Sequence, residues 1–334
     1  MERMAEYHRS ADSTVRTVTN AYDKAQKDIE IEINKIFRTF SKNGQLDPTE
    51  ARKILNQRIP NPLLKMAKKT YPKIKDEKIR RWLLTRMNAP AYRARITRLE
   101  ALKEQIYLQS KVIADVEIQA TTKGYMKTTN EAYYRTMYDI HRGLGVGFEF
   151  ASLPNQVIET IIKNPWSGKQ FSERIWANTE QLADNITEVI TAGFMNGVGI
   201  HKMVLDLSER MNVGRHVANR LVRTETTYMA NAAEMESYLE AEIDEYMFIA
   251  TMDLRTSTKC QQQDKKVYKT KDAKPGVNMP PMHTYCRSTT RAFFGPDTLK
   301  NIQRRARNPI TGKNELVPAS MAYPEWIEKY GQAA

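Results

Sequence analysis

Apolar residues recur along the start of the chain at the spacing of one helix face. Val15, Val18, Tyr22, Ala25, Ile29, Ile33, Ile36 and Phe40 stand three or four apart, which predicts an amphipathic helix over residues 11–40. Ser41-Lys42-Asn43-Gly44 ends it, because Asn and Gly tolerate the left-handed backbone of a helix C-terminus. Asp47-Pro48-Thr49-Glu50 reads as a new start, with Asp as N-cap, Pro in the first turn and Glu three residues on. Pro60, Pro62 and Pro72 break residues 56–75 into short helices and turns. A second stripe of Ile96, Leu99, Leu102, Ile106, Val112, Ile113 and Val116 predicts a helix over 91–120. Residues 121–141 look helical too, with Tyr125, Tyr133, Tyr134 and Tyr138 read as core. Pro154, Asn164 to Gly168 and Gly193 to Gly199 punctuate two more helices, and a long one follows over 215–242.

After Asp244 the pattern changes. Residues 246–251, 266–269 and 287–294 are rich in β-branched and aromatic residues and read as three short strands. So small a sheet needs a covering helix, and residues 215–242 supply it. Beyond Gly295 the chain is basic and broken by Pro296, Pro309, Pro318 and Pro324, which predicts an extended arm with a short terminal helix. The expected fold is mainly α with a small α+β C-terminal domain built on a short antiparallel sheet. The expected divisions are a helical region over 1–150, a helical connector over 151–214, the α+β domain over 215–295 and the arm over 296–334.

Charge sharpens this picture. The chain of 334 residues carries a net charge of +13. Arg52 to Lys111 holds seventeen Lys and Arg against four acids, so this segment accounts for the whole excess. Concentrated positive charge suits a polyanion such as nucleic acid, while the plainer reading is a solvated face on long helices. Lys68, Lys69, Arg80 and Arg81 are the candidate phosphate contacts, made without sequence preference. Trp82, Tyr71 and Tyr92 are read as core rather than as stacking platforms for bases. No apolar run reaches the length of a membrane span, and the charged N-terminus is not a secretory signal. Gly143-Leu-Gly145-Val-Gly147 lacks the spacing and the preceding strand of a phosphate loop, and reads as a turn between helices.

Candidate chemistry is confined to one place. The chain has two cysteines, Cys260 and Cys286, and His283 stands three residues before the second. Cys260 with His283-x-x-Cys286 suits a metal site, a disulfide or a metal-free knot of buried thiols. Asp264, four residues after Cys260, is a candidate fourth ligand if the segment is helical. Arg223, Glu225, Asp253, Arg255 and Arg287 are read as a structural polar network, since arginine forks pair bidentately with carboxylates. His8, His141, His201 and His216 are isolated on helical segments and read as ordinary helix residues.

The same residues carry a family resemblance. Asn164-Pro165-Trp166-Ser167-Gly168 with Phe171 to Trp176, then Arg223-Thr224-Glu225, Asp253-x-Arg255-Thr256 with Cys260, and Pro280-Pro281-x-His283-x-x-Cys286-Arg287 follow in the order seen in the phage Mu F-like minor head proteins. The resemblance covers roughly residues 150–294. It implies a non-enzymatic minor capsid protein of a tailed bacteriophage, carried inside the virion and present in the host cytoplasm during assembly. The implied partners are the portal protein, capsid or scaffold proteins and the phage double-stranded DNA, with roles in head assembly and in DNA packaging or ejection, and no membrane. Many such proteins carry a further cysteine at the position of Ser257, which would complete a zinc site. Here that ligand is absent, so no cofactor is expected beyond a possible zinc. The competing reading is a zinc-dependent nuclease of the treble-clef type. Against it, the chain has no further histidine after Cys286 to act as general base. Arg223-Thr224-Glu225 also resembles motifs of ADP-ribosyltransferases, but without their paired glutamates.

Overall fold

This computed structural model describes residues 2–40, 49, 53, 55–88, 95–144, 153–300 and 302–330. The chain forms two compact units. One takes Met1–Ser13, Thr122–Gly168 and Arg220–Ala334, and the other takes Thr14–Thr121 and Lys169–Asn219. Both are therefore discontinuous in sequence, unlike the consecutive divisions that composition suggests. The reason is three long helices, α1 (Glu2–Phe40), α4 (Arg98–Leu144) and α7 (Ile200–Glu240), each of which contributes residues to both units.

The Thr14–Thr121 and Lys169–Asn219 unit is helical. The apolar stripe of α1, from Val18 through Ile29 to Phe37, packs on Leu102, Ile106 and Ile113 of α4. It also meets Leu182, Ile186, Ile190 and Phe194 of α6 (Phe171–Met195) and Met203, Leu207 and Met211 of α7. Each such side chain, fully buried, contributes about 1.5–3 kcal/mol. Helix α7 begins at Ile200, ahead of the predicted start, and runs straight through Gly214. A Cβ there would sit 2.6 Å from Tyr22 Cε1, so close approach of α1 to α7 offsets the cost of a glycine inside a helix.

The second long stripe also differs from its prediction. Residues 95–97 form β2 (Arg95–Thr97), antiparallel to β1 (Arg58–Pro60) with Ile96 opposite Ile59. Helix α4 starts at Arg98 because Thr97 and Glu100 cap it reciprocally. The Thr97 N–H donates to Glu100 Oε2 at 2.7 Å, and the Glu100 N–H donates to Thr97 Oγ1 at 3.1 Å. From there it continues unbroken for 47 residues, merging the two predicted segments. Between the strands lie α2 (Leu63–Thr70) and α3 (Glu77–Asn88), and α5 (Asn155–Lys163) follows α4 in the chain. The predicted start at Asp47, Pro48 and Glu50, and residues 145–147 of the glycine turn, lie outside the described residues.

The other unit carries the sheet. Strand β3 (Glu245–Ile249) is central, with β4 (Val267–Lys269) and β5 (Thr289–Ala292) antiparallel on either side. Helix α7 covers it as expected. The buried Glu234 carboxylate accepts from the hydroxyls of Thr289 and Thr290, both at 3.0 Å.

Residues 302–330, expected as an extended arm with a short terminal helix, do end in a helix, but the stretch before it folds onto this unit. Strands β6 (Gln303–Arg307) and β7 (Asn314–Pro318) make a hairpin, and α9 (Tyr323–Tyr330) follows. The turn is built by Asn308, whose Oδ1 accepts from the N–H groups of Ile310 and Thr311, and by Gly312 in the left-handed region at φ 65°. Tyr323 and Trp326 pack with Met252, Ala306 and Val317 in a core of their own. Among the described residues no helix is long and apolar enough to cross a membrane.

Candidate functional site

The Cys–His segment is shaped by its own polar residues before any long-range contact forms. Asp253 Oδ1 accepts from the Arg255 N–H at 3.0 Å and from Thr256 Oγ1 at 3.1 Å, which turns the chain after β3. Ser257 then caps α8 (Thr258–Gln263), its Oγ accepting from the Cys260 N–H at 3.4 Å. Ser257, where the family resemblance implies a further cysteine, thus serves here as a helix cap. The six-residue helix turns Cys260 inward, where it is buried with Phe248, Ala250, Met282 and Cys286.

The other half of the site is a turn held by α7. The Cys286 N–H donates to the His283 carbonyl at 3.2 Å. Tyr285 occupies the left-handed region at φ 58°, a conformation that costs a bulky residue about 1–2 kcal/mol. Two threonines of α7 hold it there. Thr224 Oγ1 accepts from the Tyr285 N–H at 3.1 Å, and Thr227 Oγ1 donates to the Cys286 carbonyl at 2.6 Å.

Arg223-Thr224-Glu225 therefore acts as a three-way clamp. Consecutive residues on a helix point about 100° apart, so three neighbours reach three different segments. Arg223 donates to the His8 carbonyl at 2.7 Å and to Asp12 on α1. Thr224 takes the His283–Cys286 turn. Glu225 accepts from Trp166 Nε1 at 3.0 Å, and the Trp166 indole stacks on Tyr228 with ring centroids 5.3 Å apart. The predicted five-residue network is thus divided. Asp253 and Arg287 pair bidentately, one bond measuring 2.9 Å. Arg255 stays exposed at 3.9 Å from the same carboxylate, while Arg223 and Glu225 serve other partners. Burial opposes ionisation of Asp253, but the Arg287 guanidinium outweighs it and holds the carboxyl below its usual range.

Three donor atoms converge at the centre. Those of Cys260, His283 and Cys286 all lie within 4.8 Å of one another. The two sulfurs are 3.7 Å apart, both thiols are free, and His283 Nε2 is 3.3 Å from Cys260 Sγ. His283 Nδ1 stands 2.7 Å from the Thr284 carbonyl, which can only accept, so Nδ1 carries a proton. The hydrogen bond from Cys260 lowers Cys286 to about 4, helped by His283 and against the effect of burial; the same bond pushes Cys260 up. Contact with the Cys286 sulfur raises His283. The cluster is two cysteine sulfurs and an imidazole in mutual hydrogen-bonding reach.

The donor set fits zinc in part. Tetrahedral ligands at about 2.3 Å for sulfur and 2.0–2.1 Å for nitrogen stand roughly 3.5–3.8 Å apart, close to the separations found. A proton on Nδ1, held by a carbonyl, is the usual state of a ligating imidazole. Asp264, the candidate fourth ligand, is not in the cluster. Its carboxylate accepts from Arg304 Nη1 at 3.0 Å and Nη2 at 3.1 Å, from the Ala250 N–H at 2.8 Å and from the Tyr323 N–H at 2.9 Å. The physical reason is that α8 ends at Gln263, so Asp264 leaves the helix and does not share a face with Cys260. Arg304, which claims it, lies in the stretch predicted to be an extended arm.

Replacing Cys286 with Ser, or His283 with Ala, is expected to cost about 1–3 kcal/mol, since either leaves buried polar groups unpaired. Thermal melts measure this. A bound metal makes the loss larger and appears as near one zinc per chain in elemental analysis.

The four candidate DNA contacts lie in the other unit. Lys68 and Lys69 close α2, Arg80 and Arg81 lie on α3, and all four are exposed. Arg81 is paired with Glu77 at 2.9 Å and Arg80 lies over the Tyr71 ring at 5.1 Å. Trp82 is half-buried beneath Arg86, whose guanidinium lies 4.6 Å from its centroid. Lys111, the last residue of the basic segment, is buried against Glu180 and the Trp176 ring, so it belongs to the packing. His8, which the sequence reading took for an ordinary helix residue, and Asp12, Trp166, Thr227 and Arg304 carry much of the site without having been read as site residues. Only Trp166 had a signal, its place in the Asn-Pro-Trp block.

Comparison with known proteins follows this geometry. Residues 184–291 match the family described as phage Mu protein F like protein. That stretch contains the Arg-Thr-Glu clamp, the Cys–His cluster and most of β5. Over 320 residues, 92% of this chain, the protein is 22% identical to minor head protein GP7 of Bacillus phage SPP1 and covers 89% of it. It is also 24% identical over 155 residues, 45% of its length, to NAD(+)--arginine ADP-ribosyltransferase EFV of Enterococcus faecalis, and covers only 32% of that protein. No solved structure matches significantly.

Proposed function

We propose that this chain is a minor head protein of a tailed bacteriophage that acts through assembly and not through catalysis. Similarity to a minor head protein along nearly the whole of both chains carries this reading. The clamp supports it. Every side chain of Arg223-Thr224-Glu225 is bonded within the chain, and Asp253 is bonded to Arg287, so these residues are occupied in holding the fold. The partial likeness to an ADP-ribosyltransferase covers too little of that enzyme to bring its activity along. The protein sits inside the capsid, contacting the portal and neighbouring head proteins. Co-expression with the portal protein of the same phage tests this: co-purification is the expected result, and failure to enter assembled heads would sink the reading.

DNA contact belongs to the same proposal. Lys68, Lys69, Arg80 and Arg81 present four exposed cations on two neighbouring helices. Affinity for duplex DNA should then fall with salt at a log–log slope of about −0.9 per phosphate neutralised. Changing all four to Gln should flatten that slope. An unchanged slope in a filter-binding titration removes this surface from consideration.

A further inference from the structure

A cleft of about 820 Å³ opens beside the Cys–His cluster, entirely within the unit that carries the sheet. Arginine dominates its lining. Arg9 comes from α1, Arg223 from α7, Arg255 and Arg287 from the two halves of the site, and Arg305 and Arg307 from β6. The lining holds two carboxylates, Asp12 and Asp253. Each is bonded by one arginine, Asp12 by Arg223 and Asp253 by Arg287. The lining thus carries six guanidiniums to two carboxylates. The side chains of Arg9 and Arg255 are 62% and 72% exposed, each with its nearest acid 3.9 Å away, and Arg307 is exposed as well.

The fold gathers these residues by a specific route. Along β6, side chains alternate, so Arg304 and Ala306 face the core while Arg305 and Arg307 face out. The Arg307 N–H donates to the Met252 carbonyl at 2.9 Å, and Ala306 bridges to Met252. This lays the outward face of β6 alongside Asp253 and Arg255. A loosely solvated arginine pair on a surface is ordinary. Six arginines from five segments, converging on one concavity with two acids between them, are not accounted for by packing alone.

We infer that this cleft binds a chain of linked phosphates, the di- or triphosphate of a nucleotide, either free or at the 5′ end of a nucleic-acid strand. The guanidinium fork matches phosphate oxygens bidentately, and guanidinium keeps its charge at any physiological pH. Several forks around one cavity favour several phosphates close together over a single one. The volume lies in the range of small-ligand pockets. This site is separate from the Lys68–Arg81 surface and does not rest on the head-protein reading.

The test is calorimetric titration of the full-length protein with inorganic triphosphate. It should bind at least about tenfold more tightly than inorganic monophosphate. The double variant R255Q/R307Q should weaken triphosphate about tenfold or more, while its melting temperature without ligand stays unchanged. The Lys68, Lys69, Arg80 and Arg81 to Gln variant should bind triphosphate as the parent does. Competition separates the sources: displacement by ATP supports the free nucleotide, and displacement by a 5′-triphosphorylated oligonucleotide supports the strand end. No binding of triphosphate at millimolar concentration overturns the proposal. So does equal binding by R255Q/R307Q, or loss of binding on chelation alone, which would place the phosphates on a metal. Equal displacement by a 5′-hydroxyl oligonucleotide or by an acidic peptide also overturns it, because either shows a site that reads charge and not linked phosphates.

Discussion

Asp264→Asn should destabilise the protein by about 3–5 kcal/mol, the usual cost of leaving one member of a buried ion pair without its partner. The side chains of Asp264 and Arg304 are 0% and 5% exposed. The pair does more than neutralise charge. Asp264 accepts from Ala250 just after β3 and from Tyr323 at the start of α9, while Arg304 sits in β6. Three segments distant in sequence are joined at one carboxylate. For a unit of this size the loss corresponds to roughly 6–20 °C in melting temperature. An apolar double replacement, Asp264→Leu with Arg304→Met, should melt above the single variant, because it removes both charges together. Zinc content, if any is bound, should not change in Asp264→Asn. A melting temperature within about 2 °C of the parent would contradict the role given to this pair.

Trp326→Ala tests whether the end of the chain belongs to the fold. Trp326 is fully buried among Met252, Ala306, Val317 and Tyr323. Removing an indole from such a site costs about 3–5 kcal/mol, through lost burial and the cavity left behind. The same substitution in a solvated arm would change stability by no more than about 0.5 kcal/mol. Limited proteolysis gives a second reading, since loss of this small core should expose residues 300–330 to cleavage before the rest of the unit. A variant that melts normally and resists protease would return the tail to the status of an arm.

These two residues also show where sequence reading stops. The period of α1 was legible because burial of one face forces apolar residues to recur every three or four positions, and those residues, Val18 to Ile36, form the core. The three strands of the sheet were legible for a similar reason, through runs of β-branched and aromatic residues. The tail was misread because its prolines dominate the pattern. Pro318 in fact closes an edge strand, and Asn308 with Gly312 supplies the hairpin turn. The two predicted halves of α4 were really one helix, since nothing between residues 120 and 121 caps or breaks it.

Within the candidate site, local sequence determined which residues carry chemistry and left their partners open. Cys260, His283 and Cys286 were recognisable by type and spacing, and the structure brings their donor atoms within 4.8 Å of one another. Asp264 was equally plausible by spacing, yet helix α8 ends one residue too soon and Arg304 holds its carboxylate. Arg223, Thr224 and Glu225 form one motif in sequence but reach three separate segments in space. The arginine cleft has no linear signature, because its residues come from five segments between positions 9 and 307. Periodicity and capping act over a few neighbouring residues, so the sequence by itself determined the apolar faces of the long helices, the three strands of the sheet and the reactive side chains. The charge pairs join residues 34, 40 and 211 positions apart and the cleft gathers arginines from positions 9 to 307, and only the tertiary structure decided those.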